Sequence, residues 1–157
     1  MELGNDFINS TRTFFDQYLN GIKTCLEKLS DEDVWWRPNE ESNSVGNLLL
    51  HISGSLGYWI VSGIGGAADH RIRQQEFDER SRIPKAQLLS NLSATLQEVN
   101  EVLAQIDPSQ LLQKSQLYGT EVTWMFTIYH MVEHFSMHAG QILMITKIRT
   151  GKDLGLQ

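Results

Sequence analysis

Cysteine is nearly missing from this chain of 157 residues, where Cys25 stands alone. A single cysteine excludes an intramolecular disulfide and any zinc site built from several thiolates, and it fits a reducing, cytoplasmic setting. Metal chemistry, if present, must use His, Asp or Glu. Proline is scarce as well, and each of the three falls where a helix is expected to begin or end: Pro38, Pro84 and Pro108. Excess positive charge is lacking too, since 13 Lys and Arg face 19 Asp and Glu for a formal net charge of −6. No global basic field draws in nucleic acid or anionic lipid, so neither is an expected partner. Uncharged apolar runs fall short of the roughly 18 residues of a spanning helix, and MELGNDFINS has no basic segment followed by an apolar one. What remains, 41% apolar and 20% charged, is an ordinary globular composition in a length suited to one domain, residues 1–157.

Hydrophobic periodicity predicts four long helices. Phe7, Phe14, Phe15, Tyr18, Leu19, Ile22, Cys25, Leu26 and Leu29 recur at helical intervals, an amphipathic helix from about Leu3 to Leu29. Cys25 falls on its apolar side and reads as a small buried hydrophobe. Ser30, followed by Asp31, Glu32 and Asp33, caps a short helix that Pro38 ends. Trp35 and Trp36 at that end either plug a core or rim a pocket, which makes Trp36 a candidate pocket residue. Ser44 caps the second long helix, about Val45 to Ile64, with an apolar stripe of Val45, Leu48, Leu49, Ile52, Leu56, Trp59 and Ile60. A flank of His51, Ser55, Tyr58 and Ser62 lies roughly a third of the circumference away. Projection alone leaves open whether His51 faces another helix or solvent.

Ala67 to Ile83 is dense in charge, with Arg71, Arg73, Arg80 and Arg82 among Asp69, Glu76, Asp78 and Glu79. Such a length is unusual for a connection in a compact domain. It reads either as a solvated crossover with local ion pairs or as a lid whose Arg71 and Arg73 hold a substrate carboxylate. His70, within it, is expected to be exposed. Pro84 starts the third helix, whose Leu88, Leu92, Leu96, Val99 and Leu103 keep the period until Pro108. A short linker around Gly119 leads to the fourth, opened by Thr120 and Glu121 and stopped by Gly151. With no convincing strand and no repeat, the fold class is all-α, a four-helix bundle with a long crossover between helices two and three.

Three of the five histidines, His130, His134 and His138, lie one turn apart within Thr123 to Thr150 and share a stripe of the fourth helix. The remainder of that helix is apolar nearly all round, which predicts burial. Buried imidazoles cost free energy unless each nitrogen finds a proton, an acceptor or a metal. Two histidines at i and i+4 can chelate one divalent ion, and a third from another helix completes a three-nitrogen site with open positions. His51 is the plausible third donor; rings satisfied by carbonyls or hydroxyls are the alternative. His130-Met131-Val132-Glu133-His134 also matches the H-x-x-E-H pattern of inverted zincin peptidases. The only acidic residue after it, Asp153, lies beyond the helix stop.

Ser44-Val45-Gly46-Asn47-Leu48-Leu49-Leu50-His51, with Trp59 eight residues on, and His134-Phe135-Ser136-Met137-His138-Ala139-Gly140-Gln141-Ile142 together resemble the DinB/YfiT-like superfamily of bacterial four-helix metal proteins. Leu29-Ser30-Asp31-Glu32 and Trp35-Trp36-Arg37-Pro38 look like its DUF1572 branch, so the resemblance spans almost the whole chain. It implies His51, His134 and His138 as metal ligands. His130 is left to line the pocket or support the ligands, alongside Tyr58, Ser55, Gln141 and Trp36. The implied cofactor is a divalent metal, zinc or nickel foremost, with iron, cobalt or manganese tolerated by the same donors.

Characterised members of that superfamily include bacillithiol transferases and mycothiol-dependent isomerases. The resemblance therefore implies a metal-dependent S-transferase or isomerase that activates a low-molecular-weight thiol or water, its second small-molecule substrate near Tyr58 and the charged crossover. A metal-dependent hydrolase and a non-enzymatic metal-binding stress or sensor protein are the alternatives. Ala139 and Gly140 let another helix approach closely, and homodimers are common in the superfamily, so a homodimer is expected.

Overall fold

In the computed structural model, residues 2–117 and 119–156 are described. Helix α1 (Glu2–Lys28) turns Ile8, Phe15, Ile22, Cys25 and Leu26 inward, as its apolar spacing dictates. Ser30 and Asp33 cap each other reciprocally at the start of α2 (Asp31–Val34), and Ser44 with Asn47 does the same for α3 (Val45–Leu56). α3 runs on into a π-helical turn, Gly57–Ser62. The crossover 63–84 then carries a short helix, α4 (Arg73–Asp78), before α5 (Lys85–Gln105) and a 3-10 turn at Pro108–Gln110. Strands β1 (Lys114–Leu117) and β2 (Thr120–Thr123) form an antiparallel hairpin with Lys114 opposite Thr123. Last comes α6 (Trp124–Thr150), which Gly151 stops with φ at 66°.

The four long helices close a ring in which α1 packs on α6 and α5, and α3 packs on α5 and α6. This is the all-α, four-helix architecture with a long second crossover that the sequence predicts. Along the α1–α6 seam, Phe135 sits between Phe15 and Tyr18, with ring centroids at 5.8 and 5.3 Å. Burial of each such side chain stabilises by about 1.5–3 kcal/mol, so this seam fixes the helix that carries the histidine stripe. Cys25 is fully buried, and burial pushes its thiol pKa up, which leaves it a packing residue. Among the described residues no helix is long and apolar enough to cross a membrane.

Three local expectations are corrected. Thr120 and Glu121 do not open α6; they belong to β2, and the Thr123 hydroxyl caps the helix by accepting from the Phe126 amide at 3.1 Å. Branched residues at 120, 122 and 123 favour extended backbone, and Gly119, with φ at 74°, supplies the left-handed turn that a tight hairpin requires. Strand, unconvincing in the sequence, is present in the β1–β2 hairpin. Helix α6 is not buried all round, since Phe126, Tyr129, Met137, Met144 and Ile148 share an exposed outer row.

Candidate metal centre

α3 and α6 lie side by side and bring His51 against His134 and His138. His134 Nε2 is 3.1 Å from His51 Nε2 and 3.2 Å from His138 Nε2, and the donor atoms of all three lie within 4.8 Å of one another. Zinc–nitrogen bonds of about 2.0–2.1 Å in a tetrahedral site put ligand nitrogens about 3.3 Å apart. The observed spacing therefore suits one ion shared by three imidazoles.

Protonation agrees with that fit. His138 Nδ1 stands 2.7 Å from Gln141 Oε1, an acceptor, so Nδ1 carries the proton and Nε2 presents a lone pair. His51 Nδ1 stands 2.8 Å from Glu76 Oε2. Burial alone raises the Glu76 pKa, but hydrogen bonds from Arg71 and His51 outweigh it and leave the net value lowered, so Glu76 is a carboxylate that only accepts. Arg71 Nη2 also stands 3.3 Å from His51 Nδ1, but the carboxylate is nearer and favours the tautomer that His138 adopts. With lone pairs on two of the three facing nitrogens, repulsion must be relieved by a cation or by a proton on His134 Nε2. Burial first, then the charges of His138, His51 and His130, push the His134 pKa from 6.5 down to about 3. Burial also lowers His138, against the opposing effect of its Gln141 bond. Both rings are neutral at pH 7, the state that binds metal. His134 Nδ1 is buried with no hydrogen-bond partner among the described residues.

One face of α3 explains how the crossover reaches this cluster. Asn47 Nδ2 donates to the carbonyls of Glu76, Phe77 and Glu79 at 2.9, 3.3 and 3.3 Å, while its Oδ1 accepts from the Ser44 hydroxyl at 2.7 Å. Asn47 thus ties the C-terminal end of α4 to the start of α3 by satisfying orphan carbonyls. Arg71 grips Glu76 at both oxygens, Nε to Oε1 at 2.6 Å and Nη2 to Oε2 at 2.9 Å, and donates to Ser55 Oγ at 3.0 Å. Gly54 leaves the room for this pair, because a Cβ there would overlap Glu76 Oε1. Phe77 packs on the His51 ring at 4.7 Å, with the Arg73 guanidinium 5.0 Å above Phe77.

A cavity of 350 Å³ opens on the cluster, lined by His51, Ser55, Trp59, Arg71, Arg73, His130 and His134. His130 stays outside the three-imidazole group, its ring 4.9 Å from Trp59 and its Nδ1 3.5 Å from Glu133. Glu133 is 58% exposed, so the H-x-x-E-H peptidase pattern lacks both its base and one of its ligands here. Tyr58 lines a different cavity, 530 Å³, on the far side of the Arg71–Glu76 pair. The π-helical turn shifts register after Leu56, and Trp59, read from the sequence as core stripe, packs on the core but also lines the histidine cavity. Trp36 lines neither cavity; it lies 5.4 Å from the Arg149 guanidinium at the C-terminal end of α6. Arg71, expected to await a substrate carboxylate, holds the protein's own Glu76. Glu76, Trp59 and Asn47 are the site residues that sequence reasoning missed. For Asn47 a signal was present, in its place three residues after the Ser44 cap and four before His51.

Structures of known proteins define the class. The fold matches a conserved protein from Enterococcus faecalis with a TM-score of 0.75 at 17% identity, covering 92% of this chain and 97% of that one. It matches DinB-like proteins from Bacillus subtilis (TM-score 0.70, 20% identity, 92% and 93% covered) and Bacillus cereus (0.71, 15%, 91% and 95%). This is a DinB-like helical bundle with an imidazole cluster between its second and fourth long helices. More narrowly, residues 2–155 match the family described as "Protein of unknown function (DUF1572)", and the chain belongs to that family. No curated protein matches it.

Proposed function

We propose that this protein is a divalent-metal-dependent enzyme, a thiol S-transferase or isomerase, with His51, His134 and His138 as the metal ligands. One observation carries the reading: three imidazole nitrogens converge, with His51 and His134 lining a 350 Å³ cavity and His134 and His138 held neutral by burial. A purely structural site is normally closed by a fourth protein ligand, whereas three ligands beside an open cavity leave a position for substrate. Zinc or nickel held by neutral donors keeps its full positive charge and favours the ionised form of a thiol or water that reaches it.

The chain's own residues would do the rest. Arg73, at the mouth, supplies positive charge for a substrate carboxylate, Arg71 being engaged with Glu76. Trp59 and His130 wall one side and limit water. The reading includes a cytoplasmic setting, reducing enough to hold thiol substrates, and a homodimer supported by the exposed apolar row on α6.

The test begins with elemental analysis of the purified native protein beside a His134→Ala/His138→Ala variant, circular dichroism confirming that both fold. About one equivalent of transition metal per chain is expected in the native protein and none in the variant. Loss of free thiol is then followed across a panel of carboxylate-bearing low-molecular-weight thiols and electrophiles. A folded native protein that stays metal-free after incubation with zinc, nickel and manganese sinks the reading. A metal-replete protein that consumes no thiol sinks its transferase part.

A further inference from the structure

The outer nitrogens of the three imidazoles are held unequally. His138 leans on neutral Gln141 from its own helix, and His134 Nδ1 has no hydrogen-bond partner among the described residues. His51 has a charged partner, and it comes from another element: Glu76 of the crossover helix, 11% exposed, clamped by Arg71 at 8%. A buried ion pair is a poor way to fasten a loop, since apolar side chains of similar volume often stabilise as well or better. What apolar side chains cannot do is choose which nitrogen of a neighbouring imidazole carries the proton.

We infer that Glu76 is a positioning residue, fixed by Arg71, that sets His51 as the Nδ1–H tautomer and aims its Nε2 at His134 and His138, so that the seating of α4 governs metal affinity. Among the described residues two groups face His51 Nδ1: the Arg71 Nη2, a donor at 3.3 Å whose shorter bonds go to Glu76 and Ser55, and the carboxylate, which is nearer and decides the proton's place. An ionised carboxylate 2.8 Å from Nδ1 repels a lone pair there and attracts a proton, which forces the lone pair onto Nε2. Arg71 makes this reliable by donating to both carboxylate oxygens in a fork, which fixes the rotamer and the aim of Oε2 at His51. Negative charge behind a ligating imidazole also raises its basicity. Asn47, holding the Glu76 carbonyl, and Gly54, leaving room for its carboxylate, serve the same end from the face of α3 that presents His51. The long crossover is in this sense part of the site. The affinity half of the inference rests on the three-histidine metal reading; the tautomer half does not.

The test therefore has two arms. In metal-free, ¹⁵N-labelled native protein, ring correlations are expected to show His51 protonated at Nδ1 and bare at Nε2, and Glu76→Gln to shift it towards Nε2–H. Zinc affinity, by competition with a chelator, is expected to fall by about 10–100-fold in Glu76→Gln. In a His51→Ala background the same change is expected to alter affinity by no more than about twofold, because the effect travels through that ring. Should Glu76→Gln fail to fold, Gly54→Ala crowds the carboxylate without removing charge and is expected to weaken zinc likewise. An Nε2–H His51 in the native protein, or native-like zinc affinity in folded Glu76→Gln, overturns the inference. A folded native chain that binds no zinc overturns the metal reading, while the ring spectrum still decides the tautomer.

Discussion

Helices α1 and α6 are each 27 residues long and pack against one another, yet their faces are divided differently. α1 gives one apolar face to the core, through Ile8, Phe15, Ile22 and Leu26. α6 commits three faces: Ile128, Met131, Phe135 and Ile142 to the core, His130, His134 and His138 to the flank facing α3, and Phe126, Tyr129, Met137, Met144 and Ile148 outward. Stability and chemistry are therefore separable. α1 is a support whose loss is felt everywhere, whereas α6 holds groups whose loss is felt in one place.

Phe15→Ala should give the largest effect on stability. The side chain is fully buried against Phe135, and removing it is expected to cost about 3–5 kcal/mol in denaturant unfolding. Metal stoichiometry of the folded variant should match the native protein, because no Phe15 atom belongs to the imidazole cluster. A Phe15→Ala chain that folds but takes up no metal would erase the distinction between the helices.

A smaller effect, and one of opposite character, is expected from pH. The folded-state pKa of His134, about 3, lies below its ordinary value of 6.5, so between those limits the unfolded chain binds the extra proton. Stability of the metal-free protein then rises with pH across that window and is lost as pH falls from 6.5 towards 3. His134→Gln removes this contribution, so its Tm should decline less steeply over the same range. Carboxylates lowered by their partners, such as Asp33 beside Arg149, push native and variant the same way and cancel in the difference. Parallel Tm profiles would show that His134 carries no proton linkage.

The same division explains what was legible in the sequence. Long helices are legible because burial on one face imposes a period, and α1, α3, α5 and α6 all obey it. The stripe at 130, 134 and 138 follows from that period too. His51 is harder: it sits off the apolar stripe, and only the partners it meets on the fourth long helix, implied by the resemblance, tell which way it faces. Glu76 lies 25 residues from His51 and looks, in sequence, like any other carboxylate among arginines. Its helix is too short to stand on propensity and is held by Asn47 and by Phe77 packing on His51. The π-helical turn leaves no mark on a 3.6-residue projection, so the sequence does not tell that Trp59 reaches the histidine cavity and Tyr58 the other one. The hairpin was hidden by brevity, four residues in each strand.

The least effect on stability belongs to the outward row of α6, where the contrast with α1 can be sharpened most. Met144 and Ile148 are both 60% exposed, and surface substitutions of this kind normally shift folding by no more than about 0.5 kcal/mol. Their cost to a monomer is slight, but their cost to an association is not. An exposed apolar row, interrupted by Glu133 between Tyr129 and Met137, on a helix whose opposite faces are already engaged is the kind of surface that a second copy covers in the proposed homodimer. Met144→Lys with Ile148→Lys would set like charges from both copies against each other there, and desolvating them unpaired is expensive. Sedimentation should then move from dimer to monomer while Tm in the monomer and metal content stay near native. If the double variant sediments as the native protein does, the row is not where copies meet, and the third face of α6 has lost the use assigned to it.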